Sequence, residues 1–278
     1  MKTAVRRAAL AYSGGLDTSI IIPWLKENYR CEVVAVAVDV GQREETRGLA
    51  EKARATGAAD FRLIDARDEF ARDCILPALR HRTFDASSPA LAHPLLARKL
   101  ADVAAIEHAT ALAHGGSGTA LHAAIAAIAG GAAVLAPVAE WSAGGVDPRA
   151  FARAHGVHVA PESPVDRAPR NLIVRRAPSR VAAPDAAAHV DLAFAGGVPV
   201  AINAVALALP ELIDSLSLIA AQHGIAGAAD VHAPAADVLQ AAYAALHGDT
   251  GEVRLRLLNG EHAVLAVNDR ISQVVIHA

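Results

Sequence analysis

Ala11-Tyr12-Ser13-Gly14-Gly15-Leu16-Asp17-Thr18-Ser19 decides how the rest of the chain is read. Ahead of it, residues 7–12 carry the apolar run Ala8-Ala9-Leu10-Ala11, long enough for one buried strand, and behind it residues 18–29 repeat apolar side chains at helical spacing. The segment therefore joins a strand to a helix. Gly14 and Gly15 give the backbone access to φ values closed to other residues and let its N–H groups approach a ligand. Ser13, Thr18 and Ser19 add hydroxyls, and the helix start adds roughly half a positive charge. Such a corner suits a phosphate or pyrophosphate. The plainer alternative is a strand-to-helix turn capped by Ser13 or Asp17.

The chain has 278 residues, material for about two domains, with 53% hydrophobic and 20% charged residues. A net charge of -3 gives no general attraction to nucleic acid or to an anionic membrane. The two cysteines, Cys31 and Cys74, fit no metal-ligand spacing and read as reduced core residues of a cytosolic protein. The start of the chain lacks the long apolar region of a signal peptide. The most apolar window, 121–138, is broken by Gly130-Gly131 and Pro137, which predicts a helix followed by a buried strand and not a membrane span.

The first half alternates signals: strands over 7–12, 32–39, 61–64 and 110–113, and helices over 18–29, 44–56, 68–80 and 94–108. This is the pattern of an α/β domain, a parallel sheet with helices on both faces and ligands at the carboxyl ends of its strands. A second glycine corner, His114-Gly115-Gly116-Ser117-Gly118, falls at such an end. Proline and charge density rise near Pro161 to Pro164, which divides the chain into domains 1–163 and 164–278. Beyond that point, 190–194 with 198–202 reads as a hairpin, 209–223 and 237–247 as helices, and 252–258 with 261–267 as a hairpin turning at Asn259-Gly260. The second domain is thus a smaller α+β unit.

Ser13 to Ser19 resembles the PP-motif of the N-type ATP pyrophosphatases, enzymes that split ATP between its α and β phosphates. Within that group, Ala11 to Ser19, Trp24-Leu25-Lys26-Glu27, Val38-Asp39-Val40-Gly41-Gln42 and Ala113-His114-Gly115 are similar in order and spacing to the argininosuccinate synthase family. The resemblance implies an adenine nucleotide alpha hydrolase-like fold and a site for ATP with Mg²⁺, made by Ala11, Tyr12, Ser13, Gly14, Gly15, Leu16, Asp17, Thr18 and Ser19. It also implies a main-chain contact from Val38 to the adenine, and Gly115 against the nucleotide. Asp17, the one catalytic candidate, would orient the loop or hold Mg²⁺ through water; helix capping is the alternative. The implied chemistry is adenylation: an acceptor oxygen attacks the α-phosphorus, pyrophosphate leaves, and an amine then displaces AMP. No metal site made of protein ligands is expected.

Departures begin after Ser117, where the family continues Thr-Gly-Lys-Gly-Asn-Asp-Gln-Val-Arg-Phe-Glu. Here Leu121, His122 and Ile125 stand in place of the Asn-Asp pair and the Arg that grip aspartate and citrulline. His93 replaces an arginine of the family's Leu-Ala-Arg-Pro, and Arg176 replaces a serine. Ser117, His122, His93 and Arg176 are therefore the candidates for a changed substrate pocket. Three functions stay open: an AMP-forming ligase with a substrate altered from citrulline and aspartate; argininosuccinate synthase itself; and an ATP-binding or regulatory paralogue without catalysis. The expected setting is the cytoplasm, with small-molecule substrates, no nucleic acid and no membrane. A homo-oligomer is compatible with the sequence, although the family's long C-terminal tetramerisation helix has no counterpart before Ala278.

Overall fold

The computed structural model describes residues 5–42, 46–81, 83, 89–116, 119–157, 175–176, 184–225, 231–232, 234–268 and 270–277. The chain forms two compact units, one of Met1–Ala66 with Ala92–Glu162, the other of Arg67–Leu91 with Ser163–Ala278.

The first unit opens with β1 (Arg7–Ala11), α1 (Leu16–Tyr29), β2 (Glu32–Asp39), α2 (Leu49–Ala55) and β3 (Asp60–Asp65). The second unit supplies the next elements, α3 (Arg67–Glu69), a π-helical stretch Phe70–Ile75 and α4 (Leu76–Arg80). The chain then returns to the first unit with α5 (His93–Ile106), β4 (Ala111–His114), α6 (Thr119–Ile128), β5 (Ala133–Leu135), α7 (Pro137–Gly144) and α8 (Pro148–Ala154). The five strands form one parallel sheet in the order β3-β2-β1-β4-β5. Side chains alternate across it. Ala8, Leu10, Val33, Ala35 and Ala37 share a buried cluster with Ile20, Ile21 and Ile22 of α1 and Trp141 of α7. The intervening Ala9, Val34, Val36 and Leu112 are equally buried, on the face that α5 covers. Burial of both faces is why these strands read as continuous apolar runs.

Chain order reverses direction between β1 and β4, and the register sets Ala11 beside His114. Both glycine corners therefore lie side by side at the topological switch point, the place where open parallel sheets of this kind bind their ligands.

The second unit continues with β6 (Arg175–Arg176), β7 (Ala188–Ala195), β8 (Val198–Ile202), β9 (Val205–Ala206), α9 (Leu209–Gln222), β10 (Val231–His232), α10 (Pro234–Ala245), β11 (Gly251–Leu258), β12 (Glu261–Val267) and β13 (Arg270–His277). Six strands form an antiparallel sheet in the order β13-β12-β11-β7-β8-β9, and β10 pairs with β6. The β11–β12 turn places Asn259 at φ 50° and Gly260 at φ 86°, the positive values a two-residue hairpin needs.

Two sequence expectations are corrected here. Residues 67–91, which a division at 163 leaves in the first domain, group with the second unit. The cause is local: Arg80 of α4 donates from Nε to the Gly197 carbonyl at 3.1 Å and from a terminal nitrogen to that of Gly196 at 3.2 Å, while the Tyr243 hydroxyl of α10 reaches Gly197 at 2.9 Å. The expected helix over 68–80 is interrupted by the π-helical stretch. Strand β13 carries no turn signal strong enough to predict it, and the proposed boundary at 161–164 lies outside the described residues. Among the described residues, no helix is long and apolar enough to cross a membrane.

Candidate functional site

Helix α1 starts on Gly15, which contributes no side-chain cap, and Gly14 before it sits at φ 74°. The capping alternative for Ser13 and Asp17 is not the arrangement seen. Instead the Gly15 N–H donates to Ser13 Oγ at 3.3 Å, and Ser13 Oγ and Thr18 Oγ1 lie 3.2 Å apart. Thr18 Oγ1 in turn donates to the Gly15 carbonyl at 3.3 Å. These bonds close the loop on itself. Tyr12 and Ser19 are buried, with their hydroxyls 3.2 Å apart, so the ligand-facing hydroxyl expected of Ser19 instead braces the strand end against the helix. Ser13 and Asp17 are exposed, and Gly15 and Leu16 are half-buried.

Two glycines are fixed by close approach. A Cβ on Gly14 would lie 2.3 Å from Cδ2 of the buried Leu49 of α2, and one on Gly115 would lie 2.9 Å from Thr18 Cγ2 and 3.3 Å from Ile21 Cδ1. Gly115 thus lets the end of β4 close on the first turn of α1. A residue that the sequence reading missed completes the corner: Lys52 of α2 donates from Nζ to the Gly14 carbonyl. It carries an ammonium group to the loop from 38 residues away, and nothing in its local sequence marks it out.

The second strand supplies a different surface. The Val36 carbonyl accepts from the Tyr12 N–H at 2.8 Å, and Val38 presents its carbonyl to the same side two residues later. There β1 has ended. Gln42 fills the gap, donating from Nε2 to the Val38 carbonyl at 2.9 Å while its Oε1 accepts from the Val40 N–H at 2.6 Å. A flat group with a donor beside an acceptor is what this strand end accommodates. Adenine carries that pair on its N6 and N1 edge, whereas guanine reverses it.

His114, at the end of β4, is buried and places Nε2 3.0 Å from Nδ1 of the half-buried His122 on α6. Its own Nδ1 accepts from the Gly116 N–H at 3.2 Å. Burial is the main cause pushing the His114 pKa down to about 4, with the His122 ring adding to it. The Gly116 amide, aimed at the Nδ1 lone pair, favours the neutral ring as well. His93 opens α5 within electrostatic range of His114, has a buried Nδ1 with no hydrogen-bond partner among the described residues, and is also pushed down by burial.

Ile125 is fully buried, so it packs and does not line a pocket, and Leu121 lies against Gly116. Ser117 lies outside the described residues, as does the Arg176 side chain, whose backbone pairs with Val231 in the second unit. No group of three His, Cys, Asp or Glu side chains among the described residues is arranged to hold a metal ion. A cavity of about 760 Å³ opens elsewhere, at the amino ends of the strands among Arg6, Arg7, Glu32 and Glu107. Within it Arg7 pairs with Glu32 at 2.6 Å and with Glu107 at 3.2 Å.

Residues 7–158 match the family described as arginosuccinate synthase N-terminal HUP domain. Similar curated proteins include argininosuccinate synthases from Streptococcus thermophilus (strain ATCC BAA-491 / LMD-9) and Streptococcus suis (strain 05ZYH33), each 36% identical. The first alignment covers 79% of this chain, the second 78%, and each covers 62% of the relative, so the chain spans less than two thirds of their length. Among solved structures, a predicted subunit of tRNA methyltransferase from Methanocaldococcus jannaschii DSM aligns over 54% of this chain and 76% of its own. At 14% identity and a TM-score of 0.38, that likeness is too weak to inform the site. The match over residues 7–158, more than half of the chain, settles the wider kinship: the chain belongs to the argininosuccinate synthase family.

Proposed function

We propose that the chain is an AMP-forming carbon–nitrogen ligase of the argininosuccinate synthase type, acting on an acceptor and an amine altered from citrulline and aspartate. The observation that carries the reading is the joint placement at the switch point of the Gly14-Gly15 corner and the strand end at Val38 and Val40. A triphosphate would rest on the loop amides and the positive start of α1, with Lys52 adding charge. The base would take the donor–acceptor position that Gln42 fills. The exposed carboxylate of Asp17 and the Ser13 hydroxyl are oxygen groups of the kind Mg²⁺ accepts, mostly through its waters. When bound, Mg²⁺ would supply positive charge to the departing pyrophosphate. The chain's own part is to hold the phosphates and fix the acceptor beside them, so that the reacting atoms meet in line.

The change of substrate rests on α6. Ile125 has joined the core, and Leu121 packs on the glycine corner, so neither position offers charge to an amino acid. Argininosuccinate synthesis itself is the second reading, favoured by the activity in the relatives' names. We assign the reaction to the cytoplasm, with small molecules as the partners and neither nucleic acid nor membrane involved.

Pyrophosphate release from Mg-ATP, followed with a panel of carboxylate and amide acceptors and amines, separates these readings. Release only with compounds other than citrulline and aspartate is the expected result. Rapid release with those two establishes the second reading, and no release with any pair sinks the ligase.

A further inference from the structure

The hydrogen bonds around His114 fix where the protons sit. A backbone N–H can only donate, so the Gly116 amide leaves His114 Nδ1 as a lone pair. The proton of the neutral His114 ring is then on Nε2. From there it can only be given to His122 Nδ1, 3.0 Å away, which must also be a lone pair. A neutral His122 therefore carries its own proton on Nε2, on the side of the ring turned from His114. The run of bonds from the glycine corner through two imidazoles has one direction, and it ends in a donor.

We propose that His122 presents this fixed, uncharged Nε2–H to the acceptor substrate, which is recognised there through an oxygen, of a carboxylate, carbonyl or phosphate, and not through an ammonium group. The inference rests on the ligase reading only for the substrate's presence; the proton positions belong to the free protein. His122 lies in the first turns of α6, after the corner where β4 ends, and is half-buried. The same bonding disqualifies the pair as a metal site: His114 has no lone pair to spare, its Nδ1 being taken by Gly116 and its Nε2 protonated. An ammonium facing His122 Nε2–H would set donor against donor, so a substrate presenting one there is rejected.

Two measurements on the full chain test the proposal. Long-range ¹H–¹⁵N correlation spectra of ¹⁵N-histidine-labelled protein at pH 7.5, with rings assigned through His114→Gln and His122→Gln, report each tautomer directly. Both rings are expected as neutral Nε2–H forms; an Nδ1–H tautomer at either overturns the proposal whatever the protein catalyses. Succinate and 1,4-diaminobutane are then titrated separately into protein loaded with Mg-ATP. Succinate should bind at least about tenfold more tightly than the diamine, a difference of about 1.4 kcal/mol. His122→Gln, which keeps an N–H near Nε2, should retain that preference, and His122→Asp, which offers only oxygens, should lose it. Equal binding of the two probes, or a preference untouched by His122→Asp, overturns the assignment. Correct tautomers without any probe binding overturn the substrate contact while leaving ATP binding and pyrophosphate release to decide the ligase separately.

Discussion

Gly14→Ala is expected to destabilise the first unit by about 1–3 kcal/mol and to abolish measurable ATP binding. Two independent effects meet at this residue. Its φ of 74° is a left-handed conformation that an L side chain resists, and the added Cβ would fall 2.3 Å from Leu49 Cδ2. Leu49 is only 8% exposed and is packed into the core cluster, so its displaced methyl presses back on α2. Moving α2 carries Lys52 with it and breaks its bond to the Gly14 carbonyl. Gly48 provides the control: its φ is 71°, but a Cβ there meets nothing within 4 Å. Gly48→Ala should therefore cost stability through backbone strain alone and keep nucleotide affinity. Urea unfolding and calorimetric titration of both variants check this, and Gly14→Ala protein that binds ATP like the wild type would show that the corner is not the phosphate site.

Acid should weaken the fold well before its carboxylates are protonated. His114 is held near pKa 4 by burial and by its neighbour His122, against about 6.5 for an unfolded histidine. Between those values the unfolded chain takes up a proton that the folded chain refuses, so unfolding is favoured as the pH falls. The stability contributed by the neutral His114 is complete above about pH 6.5 and is lost as the pH drops towards 4. His93, lowered by burial, acts with the same sign. His155, raised chiefly by its hydrogen bond to Glu27, acts with the opposite sign, but Glu27 is exposed and water screens the pair. Urea midpoints at pH 7.5, 6.0 and 5.0 should fall steadily for the wild type and less steeply for His114→Gln. Equal slopes would contradict this account of the buried ring.

The sheet was legible because its central strands β1 and β2 are buried on both faces, which leaves unbroken apolar runs at Ala8-Ala9-Leu10 and from Val33 to Val38. The glycine corner was legible as a strand-to-helix junction because an apolar run, Gly-Gly and a helical repeat follow one another without a break. Lys52 was not legible, since its role depends on α2 folding back over the loop, a contact between residues 38 positions apart that no local pattern encodes. Gln42 stood in the resembling stretch, but its task becomes visible only when β1 is seen to stop short of Val38. The placing of residues 67–91 in the second unit was hidden for a similar reason, because it rests on Arg80 bonding to carbonyls at Gly196 and Gly197. At α6 the sequence gives the residue exchange at His122, but the direction of its hydrogen bond follows only from Gly116 and His114 in three dimensions.

Calorimetric titration of the wild-type protein with Mg-ATP and, separately, with Mg-GTP tests the nucleotide site most directly. The donor–acceptor order at Val38 and Val40 predicts saturable binding of ATP and binding of GTP weaker by at least about tenfold, since guanine would set like groups against each other at both positions. Equal affinity for the two nucleotides, or no binding of ATP, would contradict the placing of an adenine nucleotide at this switch point.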